Sequence, residues 1–191
     1  MDLENTVPKY QNLHQGIIDK CLDGSRNAQY ELYKLYSKAM YNVALRITND
    51  EMEAEDVLQD SFISAFRNLT SYKGTASFGS WLKRIVVNNA INLVKKRKID
   101  FESVDDYGEF DDRYESDQVV ENRYDLATVK RGIEQLPEGY KMVLTLYLLE
   151  GYDHKEIGEI LSITESTSKS QFNRSKKKLR EILKEQLQDA G

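Results

Sequence analysis

Apolar residues recur along the first half of this chain at intervals of three and four, the spacing of one face of an α-helix. One helix is predicted to follow Gly24, and a second to span residues 41–47. A third should begin after Asn49 or Asp50, since either side chain can cap the N-terminus of a helix. A fourth is predicted from about residue 79 to residue 98. Strand-like alternation is absent from the pattern, so this half is predicted to be helical.

The second half of the chain carries the same periodicity, with clear signals at the helix ends. One helix is predicted to stop before Pro137, and the next to run from Pro137 to a cap at Gly151. Asp153 and Glu156 have the spacing of a capping box, which predicts a short helix. Thr164 can cap a long final helix after a short turn. This order of elements is typical of a helix-turn-helix.

An acidic stretch with almost no apolar pattern, residues 100–112, separates the two halves. Its charges repel one another, which favours an extended linker. We therefore predict an all-α fold of two small helical domains, at residues 10–98 and 120–186, joined by an acidic flexible linker at residues 99–119. The second domain is predicted to be a helix-turn-helix of the winged-helix-like type.

Charge is distributed unevenly along the chain. The formal net charge is −5, yet lysine and arginine concentrate in residues 83–98 and 169–184. A net acidic protein is a poor general polyanion binder, but two local basic faces predict two separate contacts with nucleic acid. The single cysteine, Cys21, excludes an internal disulfide and suits a reducing cytoplasm.

Several other classes of protein are disfavoured. His14 and His154 are far apart in sequence, so no metal site or other cofactor is expected. The first residues are acidic and polar, and no apolar run approaches the length of a membrane span, so we expect a cytoplasmic protein without membrane insertion. No nucleophile–base pair or phosphate-binding loop is visible, so no catalytic residue is assigned and an enzyme is not expected.

One stripe of the fourth predicted helix combines an aromatic ring, two amides and two cations: Trp81, Arg84, Asn88, Asn92 and Lys95. This mixture suits neutralising a nucleic-acid backbone while stacking on and hydrogen bonding to unstacked bases. Tyr72 and Lys73 in the preceding loop extend it. The alternative, left open by the pattern, is that Trp81 anchors the core and the amides merely face solvent.

The final helix has a basic face opposite an apolar face that includes Ser168 and Ser175. In a helix-turn-helix the N-terminal part of the second helix enters the major groove. Lys169, Ser170 and Asn173 are then placed to reach base edges, while Arg174 and the following lysines meet phosphates. An ordinary solvated basic helix is the alternative, but the turn and its caps favour DNA binding.

The third predicted helix carries Asp56, Gln59 and Asp60 opposite its apolar stripe. Such residues are usually just the solvated side of a helix. On a DNA-binding protein, an acidic patch would more naturally bind another protein, and the pattern favours this only weakly.

Longer motifs in both halves resemble one known family. Residues 56–69, 71–74 and 77–88 read DVLQDSFISAFRNL, SYKG and SFGSWLKRIVVN. They resemble region two of extracytoplasmic-function sigma factors of RNA polymerase, group four of the sigma-70 family. Residues 136–140, 150–157 and 165–176 read LPEGY, EGYDHKEI and ESTSKSQFNRSK. They resemble region four of the same family.

The resemblance implies a factor that binds core RNA polymerase, recognises the minus-ten and minus-thirty-five promoter elements and supports DNA melting. It implies that four residues meet the clamp of the largest polymerase subunit: Asp56, Gln59, Asp60 and Phe62. Residues assigned to the minus-ten element are Asn68, Tyr72, Lys73, Trp81, Lys83, Arg84 and Asn88. Among them, Asn68, Tyr72 and Asn88 match positions around a flipped base. Residues assigned to the minus-thirty-five element are Lys169, Ser170, Asn173, Arg174 and Lys177.

The resemblance also admits an anti-sigma factor as a third partner. Two rival interpretations remain: a stand-alone helix-turn-helix regulator, which explains only residues 136–184, and a sigma mimic that sequesters an anti-sigma factor. The mimic would not need Tyr72, Asn88 or the basic stripes. Ser168 departs from the common family pattern. Because it faces inward, its hydroxyl needs a partner, for which the carbonyl one turn back is a candidate.

Overall fold

The computed structural model of this chain describes residues 13–97 and 124–188. They fall into two compact units, one within residues 1–98 and one within residues 99–191. The described residues contain helices and no strand, which confirms the all-α prediction. The predicted linker, residues 99–119, lies outside the described residues, and the predicted domain boundaries stay predictions.

The N-terminal unit consists of α1 (Gln15–Leu22), α2 (Arg26–Thr48), α3 (Glu51–Arg67) and α4 (Phe78–Lys96), with a 3-10 turn at Leu69–Ser71 after α3. The C-terminal unit consists of α5 (Leu126–Glu134), α6 (Glu138–Leu144), α7 (His154–Leu161) and α8 (Glu165–Gln188), with a π turn at Thr145–Leu149 after α6.

The second helix is longer than its pattern predicted. The sequence indicated a break before residue 41, but α2 is continuous, because Lys38, Ala39 and Met40 all favour helix and no glycine or proline interrupts them. The buried face of α2 consequently runs through Leu32, Met40 and Val43.

Local caps set the joints between the helices of the N-terminal unit. Asn49 adopts a left-handed φ of 55° and closes α2. The Asp50 side chain accepts a hydrogen bond from the Glu53 amide at 2.9 Å and starts α3. The two residues predicted as alternative caps therefore serve two different helices. Ser77 caps α4 in the same way, accepting from the Ser80 amide.

The core of the N-terminal unit lies among α2, α3 and α4, and α1 packs on α2. Helix α4 buries Phe78, Leu82, Val86 and Ala90 completely. Burying each large apolar side chain contributes about 1.5–3 kcal/mol. One face of α4 is thus committed to the core, which fixes which residues its other face presents.

The C-terminal unit is built on α8, which packs against α5, α6 and α7. Leu136, Leu144 and Ile182 form a buried cluster there. Gly132 lets α5 approach closely, since a Cβ atom at this position would lie 2.9 Å from the Leu179 side chain. A larger residue at Gly132 would therefore require the Leu179 and Leu183 side chains to shift.

The turn between α7 and α8 has the predicted caps. Asp153 and Glu156 form the capping box of α7, and the Thr164 hydroxyl accepts from the Thr167 amide at the start of α8. Ser162 has a left-handed φ of 64°. A Cβ at Gly158 would lie 2.9 Å from the Ile163 carbonyl oxygen, so the turn folds tightly against α7. The helix-turn-helix is confirmed.

Within the described ranges, 13–97 and 124–188, no helix combines the length and apolar character that crossing a membrane requires. The same residues bring together no group of His, Cys, Asp and Glu side chains suited to holding a metal ion.

Candidate nucleic-acid interface

The exposed side of α3 carries the residues that we call the acidic face: Asp56, Gln59 and Asp60. All three side chains are exposed. Phe62 was predicted to share this surface, but its side chain is only 3% exposed. Its ring packs edge-on against Tyr33, with ring centroids 4.9 Å apart. Phe62 therefore supports the acidic face from the core and offers a partner almost no surface.

The polar stripe of α4 lies away from the core. Arg84, Asn88 and Asn92 are exposed, while Trp81 and Lys95 are half-buried. Lys83 is also half-buried on α4. Trp81 has features of both alternatives. Its ring packs on the Tyr72 and Phe78 rings, yet it is only half-buried and keeps part of its surface in solvent.

An aromatic cluster connects the loop before α4 to the helix itself. Tyr72 lies with its ring centroid 5.4 Å from that of Trp81 and 5.7 Å from that of Phe78. Phe78 in turn contacts Tyr36 of α2 at 5.2 Å. The Tyr72 hydroxyl donates to the Ala76 carbonyl at 2.7 Å, which closes the loop. Buried Phe78 thus holds two partly exposed rings side by side.

A groove of about 470 Å³ lies between α3 and α4. Its polar lining includes Asp60, Arg67, Asn68, Asn89, Asn92 and Lys96. Asn68 is exposed, and its amide donates to the Ser64 carbonyl at 2.9 Å. Neither Tyr72 nor Asn88 lines this groove. The three residues predicted to surround one base are therefore distributed over the groove, the aromatic cluster and the open face of α4.

The basic residues at the end of α4 differ in whether they bond within the fold or stay exposed. Arg97 donates to the Thr48 carbonyl at 3.3 Å and forms an ion pair with Glu53. It thereby ties the end of α4 to the joint between α2 and α3. Lys96 and Lys73 are exposed and remain on the surface. Charge alone did not distinguish Arg97 from its neighbours, because its partners are distant in sequence.

The first turns of α8 present the predicted reading residues. Lys169 and Asn173 are exposed, and Lys169 pairs with Glu165 at 2.6 Å. Ser170 is half-buried, and its hydroxyl donates to the Thr167 carbonyl at 3.0 Å. Arg174 is half-buried and Lys177 is exposed. The outward side of α8 is thus a basic surface with one amide near its start.

A polar contact inside the helix-turn-helix was missed by the sequence analysis. Ser168 is fully buried, and its hydroxyl lies 3.0 Å from Nδ1 of His154, the first residue of α7. The suggested partner one turn back is therefore replaced by a side chain of the neighbouring helix. His154 stacks on Tyr147, with ring centroids 4.5 Å apart and planes 18° apart, and meets the Phe172 ring at 5.5 Å. We call these four residues the His154 cluster.

Electrostatics distinguish the groups around this cluster. The pKa of His154 lies below its ordinary value, first because burial disfavours the charged ring and then because Lys169 is near. Glu165 and Asp153 act on it in the opposite direction. The pKa of the Glu165 carboxyl is also lowered, mainly by the hydrogen bond from Lys169 and by its charge. Burial, more than the charge of Lys169, therefore disfavours a protonated His154 ring.

Comparison with known proteins assigns both units. Residues 32–99 match the family model for sigma-70 region 2, and residues 126–179 match that for sigma-70 region 4. The ECF RNA polymerase sigma factor SigW of Bacillus subtilis is 30% identical over 177 residues, which cover 87% of this chain and 92% of SigW. The RNA polymerase sigma-H factor of Pseudomonas aeruginosa is 28% identical over 190 residues, covering 94% and 98% of the two chains.

Two solved structures share the fold. CnrH, solved in complex with the cytosolic domain of CnrY, aligns with a TM-score of 0.53 and 19% identity, covering 90% of this chain and 97% of CnrH. The sigma factor RpoE of Bartonella quintana, solved with the anti-sigma factor NepR, aligns with a TM-score of 0.54 and 20% identity, covering 81% and 96%.

Proposed function

Since this chain belongs to the extracytoplasmic-function group of sigma-70 RNA polymerase sigma factors, we propose that its two units divide promoter recognition between them. The chain binds core RNA polymerase and recognises promoter DNA in transcription initiation. The N-terminal unit is assigned to the minus-ten element and to strand opening, and the C-terminal unit to the minus-thirty-five element. Its role is binding rather than catalysis, and it acts with polymerase in the cytoplasm.

The acidic face is the proposed docking surface for polymerase. Asp56, Gln59 and Asp60 project together from α3, and buried Phe62 holds that helix in place. A cluster of like charges on one helix favours a basic partner surface through charge complementarity. Asp60 of this face also lines the groove beside Asn92 of the α4 stripe, so the proposed polymerase and DNA surfaces adjoin.

The stripe of α4 and the loop before it are proposed to hold the melted minus-ten strand. Trp81 and Tyr72 offer aromatic surface for stacking, and Asn88 offers an amide that can hydrogen bond to a base edge. Lys73, Lys83 and Arg84 supply positive charge for the backbone. Asn68, which is exposed in the groove between α3 and α4, is proposed to contact the base that Tyr72 and Asn88 hold, or the base next to it.

The start of α8 is proposed to lie in the major groove of the minus-thirty-five element. Lys169, Ser170 and Asn173 are the proposed base-edge readers, and Arg174 and Lys177 the proposed phosphate contacts. An anti-sigma factor is a further proposed partner, since two proteins of the same fold were solved in complex with partners, one of them named an anti-sigma factor. The acidic linker is proposed to thread through polymerase toward the RNA exit path.

The observation that carries the proposal is the match of both regions, in the family order, to two helical units that each present a basic helix face. Run-off transcription from a pool of templates with randomised upstream sequence tests it. Core polymerase plus this chain should enrich templates that share two separated sequence blocks. Core alone should enrich none.

The same experiment separates the rivals. A stand-alone helix-turn-helix regulator would bind duplex templates without yielding promoter-dependent transcripts. A sigma mimic would not bind core polymerase, so the selection would enrich no template. Either result would overturn the proposed function.

A further inference from the structure

Ser168 occupies an unusual place for a polar side chain, at the centre of the contact between α7 and α8. It is completely buried. A buried hydroxyl without a hydrogen bond destabilises the fold, so Ser168 needs a hydrogen-bond partner. Two other serines of α8, Ser170 and Ser175, donate to carbonyls three residues back in their own helix. Ser168 instead bonds across to His154 on α7.

The His154 ring is held from more than one side. It stacks on Tyr147, which itself lies 4.4 Å from the Phe172 ring. Phe172 meets the imidazole at 5.5 Å. Helix α8 therefore touches one imidazole through two residues, Ser168 and Phe172, which lie one helical turn apart. Both contacts lie on the same side of α8, so they restrict its rotation about its axis.

The proposed reading residues follow these two contacts directly in sequence. Lys169 comes after Ser168, and Asn173 comes after Phe172. Neighbouring residues are separated by about 100° around a helix. If α8 rotates about its axis within the limits set by the His154 cluster, Lys169 and Asn173 rotate through the same angle. Base-edge hydrogen bonds need donor–acceptor distances of about 2.7–3.2 Å, so a small rotation changes which edge is met.

We propose that His154 is a positioning residue for DNA sequence recognition: its hydrogen bond to Ser168 and its packing between Tyr147 and Phe172 set the rotation of α8 at which Lys169 and Asn173 meet base edges. Its own ring does not touch DNA in this proposal. The inference rests on the proposed function of α8 as the helix that reads the minus-thirty-five element.

The test uses the full chain as holoenzyme with core polymerase, on templates enriched in the run-off selection and on their single-base variants in the upstream block. His154→Phe keeps an aromatic ring and removes the hydrogen bond, while Ser168→Ala removes the hydroxyl. Ser175→Ala is the matched control, because this equally buried serine bonds only within α8 in the contacts described. Asn173→Ala reports on the reading surface itself.

We expect His154→Phe and Ser168→Ala each to change the ranking of single-base variants, with about a tenfold loss of discrimination at the positions affected, within the range that one base contact provides. The double variant removes both polar groups, so its melting temperature should recover toward that of the natural chain. Its altered ranking should persist, which a purely stabilising role for the pair would not produce. Ser175→Ala should leave the ranking unchanged.

Two outcomes overturn the proposal. If folded His154→Phe and double variants keep the natural ranking while Asn173→Ala changes it, α8 reads DNA but His154 does not position it. If Asn173→Ala also leaves the ranking unchanged, the assignment of α8 as the reading helix fails together with the inference.

Discussion

Both units present a polar helix face, but α4 and α8 present different chemistry. The face of α4 adjoins rings, Trp81 and Tyr72, and carries amides among its cations. The start of α8 presents the cation of Lys169 and the amide of Asn173. Its neighbouring rings, half-buried Phe172 and exposed Tyr147, both pack on His154. Partly exposed rings suit unpaired bases, whose flat faces are accessible only outside the duplex. Cations and amides suit the edges of paired bases. We propose that the face of α4 meets single-stranded DNA and the face of α8 meets duplex DNA.

The largest expected effect is the loss of core polymerase binding when the acidic face is changed. Asp56→Lys combined with Gln59→Lys should abolish binding of core polymerase, because reversing charge in an interface costs much more than on a solvated surface. Pull-down of core polymerase measures this.

Glu134→Lys combined with Gln135→Lys is the matched control. These residues are exposed on the C-terminal unit, and the pair makes the same change in charge. Equal recovery of polymerase by the two folded double variants would contradict the assignment of the acidic face.

A smaller but selective effect is expected on the α4 side. Tyr72→Ala and Asn88→Ala should each weaken binding of holoenzyme to a single-stranded minus-ten oligonucleotide by about tenfold. The first removes a stacking contact, which contributes about 1–3 kcal/mol, and the second removes a hydrogen bond to a base edge. Binding to closed duplex should change little. Fluorescence anisotropy with both DNA forms measures the difference.

Asn42→Ala controls for loss of an exposed helical asparagine, because Asn42 lies on α2 and is exposed. If this control weakens single-strand binding as much as Asn88→Ala does, the assignment of Asn88 loses its support.

Within α8 the expected effects differ in kind from one residue to another. Lys177→Ala and Lys178→Ala should weaken duplex binding evenly across sequences and reduce the salt dependence by about 0.9 in slope per lost phosphate contact. Lys169→Ala and Asn173→Ala should instead change the preference among sequences, by about 1–3 kcal/mol of discrimination. Titrations of promoter variants at two salt concentrations separate the two behaviours. A changed ranking with Lys178→Ala and an unchanged one with Asn173→Ala would mean that α8 is docked differently.

The smallest expected effect is on pH dependence. Because the folded-state pKa of His154 is lowered, the unfolded chain binds more protons below the ordinary histidine pKa of about 6.5. Stability should therefore fall as pH decreases from 6.5 toward the folded-state pKa, with Lys169 opposing the protonated ring and Glu165 and Asp153 favouring it. His154→Phe should flatten this part of the profile. Thermal melting between about pH 5 and pH 7.5 measures it, and an identical slope in both proteins would exclude His154 as the source.

Local signals predicted the features that depend on neighbours in sequence. The caps at Asp50, Asp153 and Thr164 follow from side chains that bond to amides three residues ahead, so the pattern contains them. The helix-turn-helix followed from those caps and the short turn. The apolar faces of α4 and α8 followed from periodicity alone.

Features that depend on distant partners were missed. Arg97 looked like part of a DNA-binding run, yet it binds Thr48 and Glu53, far away in sequence. The family resemblance, and not the apolar pattern, assigned Phe62 to a surface, whereas its ring faces Tyr33 of another helix. The partner of Ser168 required knowing which residue of α7 faces it. The periodicity of α8 placed Ser168 on the inward side. His154, a polar residue at the start of α7, was the signal in the sequence that could have identified its partner.

The claim that α4 and α8 meet different forms of DNA is tested most directly by run-off transcription from paired templates, one fully duplex and one pre-melted across the minus-ten element. Asn88→Ala and Asn173→Ala are compared on both. Pre-melting should restore much of the activity that Asn88→Ala loses, because the cost of opening is already met, and should leave the deficit of Asn173→Ala unchanged. If pre-melting affects the two variants equally, the division of labour between α4 and α8 is contradicted.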